Sequence, residues 1–452
     1  MKVTVVGTGY VGLTTAVALA YLGHEVTCVD KNPEVVQALR EGRPPFHEPG
    51  LPELLRATYR SMHFGTQLTP EAAGADVLLI CVGTPTQANG DADLRYVEAA
   101  ATEIASVLPE GADTVVANKS TVPVGSARRV ESIIQDGLAR RGVEAKVSVA
   151  SNPEFLREGS AIFDTFYPDR IVVGATSPGP IDRMRRLYEA ILEQTFTPPS
   201  GIPRPDSREL PVFVTTTPTS AELCKYAANA FLAMKISFAN EIAGIAERVG
   251  ADVTEVMRAV GLDKRIGLRY LGAGAGWGGS CFGKDVRALL ALGEQYGYDQ
   301  PLARGTLEVN LRQRRVVVEK LQQALKVVRG STVALWGLTF KPNTDDLRDA
   351  PALDVARRLV ELGARVRVHD PVGMPRAQRE HPDLAVEYAA TPLDAVQDAD
   401  AVVLMTEWET FLHVDWHQVG ERMRERVVID GRNVLDREML TRLGFRYWGI
   451  GR

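Results

Sequence analysis

Cysteine is scarce in this chain. Four occur in 452 residues (Cys28, Cys81, Cys224 and Cys281), far apart and in no C-x-x-C spacing. Such a set builds neither a disulfide framework nor a zinc site, and the seven scattered histidines add no metal-ligand pattern. A basic excess is missing too. The 52 Lys and Arg against 57 Asp and Glu leave a net charge of −5, which gives no footprint for nucleic acid. No apolar run reaches the roughly 20 residues that cross a bilayer. The chain opens MKVTVVGTGY with a strand pattern from residue 2, so no room is expected for an export signal. The expectation is a reducing, cytoplasmic setting with no structural metal, no membrane and no nucleic-acid partner. What is present is an ordinary globular balance, 45% apolar and 24% charged, over a length that suits two or three domains.

The first segment alternates apolar strands with helical patterns. KVTVVG (2–7), HEVTCVD (24–30), ADVLLICV (75–82), DTVVANKS (113–120) and KVSVAS (146–151) read as buried strands of a parallel sheet. A Pro-, Ser- and Thr-rich stretch from about 195 to 220 reads as loop. From 220 to 252 one long helix is expected, apolar around most of its circumference and so buried between domains or subunits. Short helices follow to about Ala324. Alternation resumes with STVALWG (331–337), ARVRVHD (364–370), DADAVVLMT (398–406) and RVVIDG (426–431). The plan is α/β: two Rossmann-like doubly wound domains, 1–210 and 326–452, joined by a central helical domain, 211–325.

Gly7-x-Gly9-x-x-Gly12 lies between the first strand and the first helix. In that context the first glycine serves a tight turn, the second lets a pyrophosphate approach, and the third lets helix and strand pack closely. The helix N-terminus then offers free N–H groups to phosphate. Asp30 ends the second strand 18 residues beyond Gly12 and suits an adenine ribose, which favours NAD over NADP; Lys31 beside it argues slightly the other way. The last domain has no such fingerprint. Its first strand runs into GLTFKPNTDDLRDAP (337–351), where Lys341 and Arg348 suit phosphate or simply face solvent, and a helix near Ala350 offers a second anion-binding end. Arg432, in a DGRN loop, is of the same kind.

Lys225 and Asn229 are four apart on the long helix, on a face otherwise apolar. There they either support an oxyanion or are a snorkelling lysine and a backbone-bonded amide. Cys281 and Asp285 are also four apart, at the end of GAGAGWGGSCFGKD (272–285). A helix beginning after the glycines would put Cys281 at its N-terminus, where a thiolate is favoured; the alternative is an inert buried thiol. SNPEFLREGSAIFDTFYPDRIVVG (151–174) carries Glu154 and Glu158, as active-site carboxylates or as surface charge on a turn and short helix.

GTGYVGL, TPT (84–86), STVPVG, SNPEFLREGSAI with PDRIVVG, the Lys-Tyr-x-x-Asn helix and GWGGSCFGKD occur in this order. Together they resemble the UDP-glucose 6-dehydrogenases over nearly the whole chain. The resemblance implies a four-electron oxidation of a nucleotide-sugar alcohol to an acid with two NAD⁺, through a thiohemiacetal and a thioester on cysteine. It implies Cys281 as nucleophile and Lys225 with Asn229 at the oxyanion. Asp285 would act with Lys225 in proton transfer, and Glu154 as base or water-positioning group with Thr121 nearby. NAD would lie on Gly7, Gly9, Val11, Gly12, Asp30, Thr84, Thr121, Glu158, Lys284 and Arg348. UDP-glucose would lie on Glu154, Phe155, Leu156, Arg157, Lys225, Asn229, Tyr270, Leu271, Gly272, Ala273, Gly274, Gly278, Lys341 and Arg432. Arg265 would reach the substrate of a neighbouring subunit in a homodimer built around the long helix.

The chain departs from the family pattern at Val35, where many members carry Lys or Arg against the adenosine; either Lys31 would compensate or NAD would bind more weakly. The segment 201–213 is longer than the usual connection. Other readings are a GDP-mannose or other UDP-hexose dehydrogenase, a two-electron hydroxy-acid dehydrogenase, and a non-catalytic nucleotide-sugar sensor. Phe155, where dehydrogenases of N-acetylated UDP-sugars carry Arg, favours UDP-glucose. The glycines of 272–279 are expected to let backbone approach the sugar diphosphate.

Overall fold

The computed structural model describes every residue except Ser207 and Arg208, so the long connection expected at 201–213 lies partly outside the described residues. Two compact units are present, Met1–Ala227 and Ala228–Arg452.

The first unit holds an eight-stranded sheet: β1 (Lys2–Val6), β2 (Glu25–Val29), β3 (Met62–Gly65), β4 (Val77–Ile80), β5 (Asp113–Asn118), β6 (Lys146–Ser151), β7 (Arg170–Gly174) and β8 (Val212–Thr216). Its order is β3-β2-β1-β4-β5-β6-β7-β8, and only the β6–β7 pair is antiparallel. The first six follow the 3-2-1-4-5-6 order of doubly wound nucleotide-binding sheets. Alternation sets the faces: Val3 and Val5 pack with Leu13 and Phe166, whereas Val6 packs with Ala101 and Ile104 on the other side. Each buried Val or Leu contributes about 1.5–3 kcal/mol. Thr4, buried between them, donates its hydroxyl to Ala72 O at 2.7 Å and so avoids an unmet polar group. β8 corrects the loop expected at 195–220. It is an edge strand beside β7, and its exposed Val212 and Val214 blur the burial alternation that marks inner strands.

The second unit contains most of the long helix Pro218–Val249, then helices Val253–Gly261, Phe282–Gln295 and Pro301–Leu325. The last corrects the expected run of short helices: it has 25 residues. Gly305 lies in its first two turns, and Val309, Val317, Leu321 and Ala324 then recur on one buried face. A six-stranded sheet follows, with β9 (Thr332–Trp336), β10 (Arg365–His369), β11 (Glu387–Tyr388), β12 (Ala401–Leu404), β13 (Val427–Asp430) and β14 (Arg446–Trp448). Its order is β11-β10-β9-β12-β13-β14, all parallel, the same 3-2-1-4-5-6 pattern. Val333 and Leu335 face one core, and Ala334 and Trp336 the other, against Phe411 and Trp416. Among the described residues no helix is long and apolar enough to cross a membrane.

Candidate active site

In the first unit the three glycines of the β1 turn divide by what surrounds them. Gly7 has φ +95°, and a Cβ there would stand 2.8 Å from Cys81 O. A Cβ on Gly12 would collide with Gly7 O. Both are therefore required by the protein's own packing. Around Gly9 no protein atom lies within 4 Å of the corresponding position, so its bareness leaves room for something external. Gly9 is also the N-cap of helix Tyr10–Tyr21, where no side chain caps the free N–H groups. Val11 is the second residue of that helix. Asp30 Oδ2 accepts from Thr8 N (2.8 Å) and Thr8 Oγ1 (2.7 Å), and Oδ1 accepts from Asn32 N (3.0 Å). A carboxylate has about four lone-pair sites, so one remains for a ribose hydroxyl. A dinucleotide fits this cradle. Lys31 pairs with Glu103 at 3.4 Å, and Val35 packs against the core of the first unit. Thr84 donates to Thr121 O at 2.8 Å, tying those two candidates together.

Glu154 follows β6 and is buried. Its Oε1 lies 2.9 Å from Lys225 Nζ, and its Oε2 accepts from Leu156 N at 2.6 Å. Burial pushes its carboxyl up. The charge and hydrogen bond of Lys225, the Leu156 N–H and the charge of Lys119 more than offset this, and hold it below the usual carboxylate range. Phe155 lies under the Arg170 guanidinium at 3.7 Å, with Lys225 Nζ 5.4 Å from its ring. Arg157 forks onto Asp164 at 2.9 and 2.6 Å, and Glu158 is half-buried beside it. The segment is held by an acid that sequence reasoning missed. Glu48, buried, accepts from Gly159 N and Ala161 N, both at 2.6 Å. Glu222 was missed likewise; it accepts from Gly125 N (2.7 Å), Ala127 N (2.8 Å) and Ser151 Oγ (3.0 Å). No signal in the sequence joins residues this far apart.

In the second unit Cys281 is the N-cap residue of helix Phe282–Gln295, and its carbonyl accepts from Asp285 N at 2.9 Å. Its Sγ lies 3.4 Å from Ser280 Oγ. Asp285 is fully buried and holds Asn229 Nδ2 at 2.6 Å and Lys284 Nζ at 2.5 Å. The glycine run before the cysteine is pinned by side chains. Asn240 Oδ1 accepts from Gly274 N (2.8 Å), and Gln313 donates to Gly274 O (3.0 Å). Asn310 both accepts from Trp277 N (2.7 Å) and donates to Trp277 O (2.9 Å). Arg432 donates to Gly276 O, Met405 O and Phe340 O and lies 3.4 Å from Glu407 Oε2, which fixes its guanidinium in place.

This changes the reason for the glycines. A Cβ on Gly274 would stand 2.5 Å from Gly431 O, and one on Gly276 2.6 Å from Asn310 Oδ1. One on Gly278 would collide with Asp349 O, and one on Gly279 would stand 2.8 Å from the Phe340 ring. The chain's own packing demands these four, and only Gly272 faces open space. Tyr270 carries φ +64°, while Leu271 and Ala273 are buried. Arg348 forks onto buried Asp346 at 2.9 and 2.7 Å, and Lys341 Nζ lies 5.3 Å from the Phe340 ring. At the helix after Ala350, Asp349 and Asp354 pair with Arg314, so the chain supplies anions there itself. Arg265 is exposed and forks onto Asp263.

Residues 1–192 match the NAD binding domain of the UDP-glucose/GDP-mannose dehydrogenase family, 219–312 its central domain and 334–437 its UDP binding domain. The chain is 44% identical over its full length to a UDP-glucose 6-dehydrogenase of Pseudomonas aeruginosa, covering 98% of that protein. It belongs to the UDP-glucose/GDP-mannose dehydrogenase family. A UDP-glucose 6-dehydrogenase of Rhizobium meliloti is also 44% identical, with both chains fully covered. The structure of a UDP-glucose dehydrogenase from Pyrobaculum islandicum superposes with TM-score 0.87 at 41% identity, covering 100% of this chain and 97% of that one.

Membership makes the chain an NAD-dependent dehydrogenase, with residues 1–192 as its NAD binding domain. It also accounts for two sheets of one order, since the family has one domain for NAD and another for UDP.

Proposed function

We propose that this family member oxidises UDP-glucose at C6 to UDP-glucuronate, with two NAD⁺ and one water consumed and no aldehyde released. The observation that carries the reading is the arrangement around Cys281 (N-cap of a helix, with buried Asp285 one turn on and Asn229 bonded to it), in a chain alike at full length to UDP-glucose 6-dehydrogenases. NAD, held by the Gly9 turn and Asp30, would supply the hydride acceptor for the two oxidations at C6. The thiol of Cys281 adds to the aldehyde to give a thiohemiacetal, whose oxidation leaves a thioester. Water then adds to the thioester carbonyl, the C–S bond breaks, and the sulfur leaves with the nucleophile restored. Helix N-terminal N–H groups favour the thiolate form. Lys225 and Asn229 stabilise the oxyanion of the tetrahedral species. Glu154, held ionised, takes a proton from the attacking water. Asp285, fixed by Asn229 and Lys284, completes the proton path.

The reading includes a three-part division at 1–210, 211–325 and 326–452, a cytoplasmic setting and a homodimer with Arg265 reaching the partner's site. The dimer is supported by Phe231, Phe238, Ile245 and Val249, which repeat along the long helix at seven, seven and four residues and are all exposed.

Counting NADH per sugar tests the function. UDP-glucose should yield two, and GDP-mannose and UDP-N-acetylhexosamines essentially none. One NADH, or a preference for another sugar, would overturn it. Cys281→Ser should abolish acid formation, whereas a two-electron dehydrogenase would lose little. Binding of both ligands without any NADH would instead mark a sensor.

A further inference from the structure

Lys119, just beyond β5, is buried, yet no carboxylate pairs with it among the described residues. Its ammonium donates to Asn152 Oδ1 at 3.3 Å and to Tyr188 Oη at 3.4 Å, and lies 5.6 Å from the centre of the Tyr188 ring. These are weak compensation, since taking an ammonium out of water costs several kcal/mol. The site is nonetheless built with care. Tyr188 donates to the same Asn152 Oδ1 at 2.7 Å, and Asn152 Nδ2 donates to Val172 O at 2.9 Å, which fixes the amide. Asn152 leaves β6 two residues before Glu154, so the lysine is anchored to the segment that carries this carboxylate.

We propose that Lys119 is a positioning residue, a stationary second cation that keeps Glu154 ionised while the Lys225 ammonium is drawn to the oxygen of the reacting carbon. The proposal rests on the roles given above to Lys225 and Glu154. One ammonium cannot serve Glu154 and a developing oxyanion at full strength together. Without a cation, buried Glu154 would keep the Leu156 N–H as its partner, and burial would favour its protonation. A protonated Glu154 accepts no proton from water. The groups that act on Glu154 are Lys225 from the long helix, Lys119 beyond β5 and the Leu156 N–H. The Cys81 thiol beyond β4 feels both Lys119 and Glu154, and burial pushes it up to about 12, so it stays neutral in the working range.

The test needs no turnover. Carboxyl ¹³C resonances of labelled glutamate, assigned through Glu154→Gln, read the ionisation of Glu154. In Lys225→Met it should remain ionised near neutral pH; in Lys225→Met/Lys119→Met its titration should move up by at least about one unit, a tenfold change in the ionised fraction. Identical titrations would overturn the proposal. In the active enzyme, Lys119→Met should lose about tenfold in kcat on the acid side and recover most of it in base, with KM for NAD unchanged. A loss equal at every pH would mark a merely structural lysine and overturn the proposal as well. Lys119→Gln keeps a hydrogen-bonding group without the charge and gives the same reading if the methionine variants do not fold. If the wild type makes only one NADH per sugar, the proposed function fails while the titration comparison still stands.

Discussion

The two sheets begin alike and end in opposite uses of the same acid. Gly7 follows β1 with φ +95° and donates to Val29 O at 2.7 Å; Gly337 follows β9 with φ +90° and donates to His369 O at 2.8 Å. Asp30 comes right after β2, and Asp370 right after β10. Asp30 is half-exposed and keeps acceptor capacity. Asp370 is fully buried, and its two oxygens accept from the N–H groups of Leu338, Thr339, Val372 and Gly373, the Thr339 hydroxyl and the Trp408 indole. In the first unit the helix starts at Tyr10, right after the turn, so the acid faces a ligand cradle. In the second no helix starts until Pro351, and the intervening chain folds onto the acid. One frame leaves its acid with acceptor capacity to spare, and the other uses it as a structural peg.

Removing each acid is the strongest way to break that contrast. Asp370→Ala takes the acceptor from four N–H groups, three of them buried, and one of two acceptors from the Trp408 indole, and should cost about 3 kcal/mol or more, read as a large drop in Tm. Asp30→Ala deprives only the buried Thr8 N–H and hydroxyl and the exposed Asn32 N–H of their acceptor, and should cost less, about 1–2 kcal/mol, while raising KM for NAD by roughly 10- to 100-fold. Equal stability losses would end the comparison. The glycines give a second pair inside the first unit. Gly12→Ala forces backbone apart and should cost a few kcal/mol, whereas Gly9→Ala meets no protein and should leave Tm nearly unmoved while NAD binding weakens by about tenfold.

The smallest effect is one of pH. Glu154 is held below its ordinary range despite burial, so its contribution is present above about pH 4.5 and is lost as pH falls through its folded value. Asp430, at the end of β13, is pushed up chiefly by burial, which outweighs the hydrogen bonds it accepts from Leu435 N, Arg432 N and Tyr447 Oη. Its ionisation therefore costs stability as pH rises from about 4 through its folded value. Thermal melts should show the wild type losing ground to Glu154→Gln as acid is added, and gaining on Asp430→Asn over the same direction. Parallel curves would show that the two acids do not differ.

How much of this was legible before the structure differs by residue. β1, β4 and β9 were readable because both faces of each are buried and their residues form runs that are apolar but for Lys2 and Thr4 in β1 and Thr332 in β9. β8 was not, since a half-exposed edge strand written PVFVTTT carries no such run. Cys281 at a helix N-terminus followed from the glycines that precede the helix. The reason for those glycines did not follow. A sequence shows that Cβ atoms are missing at 274, 276, 278 and 279, but not that Gly431, Asn310, Asp349 and Phe340 occupy the space. Lys119, Glu48 and Glu222 stayed hidden for a related cause. Each acts on a segment 33 to 113 residues away, and nothing local marks them.

The clamp on 274–277 has a consequence for anyone wishing to move the cysteine loop elsewhere. Its shape is stored outside itself, in Asn240 on one helix and in Asn310 and Gln313 one turn apart on another. The loop is thus not a portable cassette. A graft of GAGAGWGGSCFGKD alone would arrive without its instructions, and the three amides, with the two helices that space them, are the smallest unit that could carry the shape of the loop.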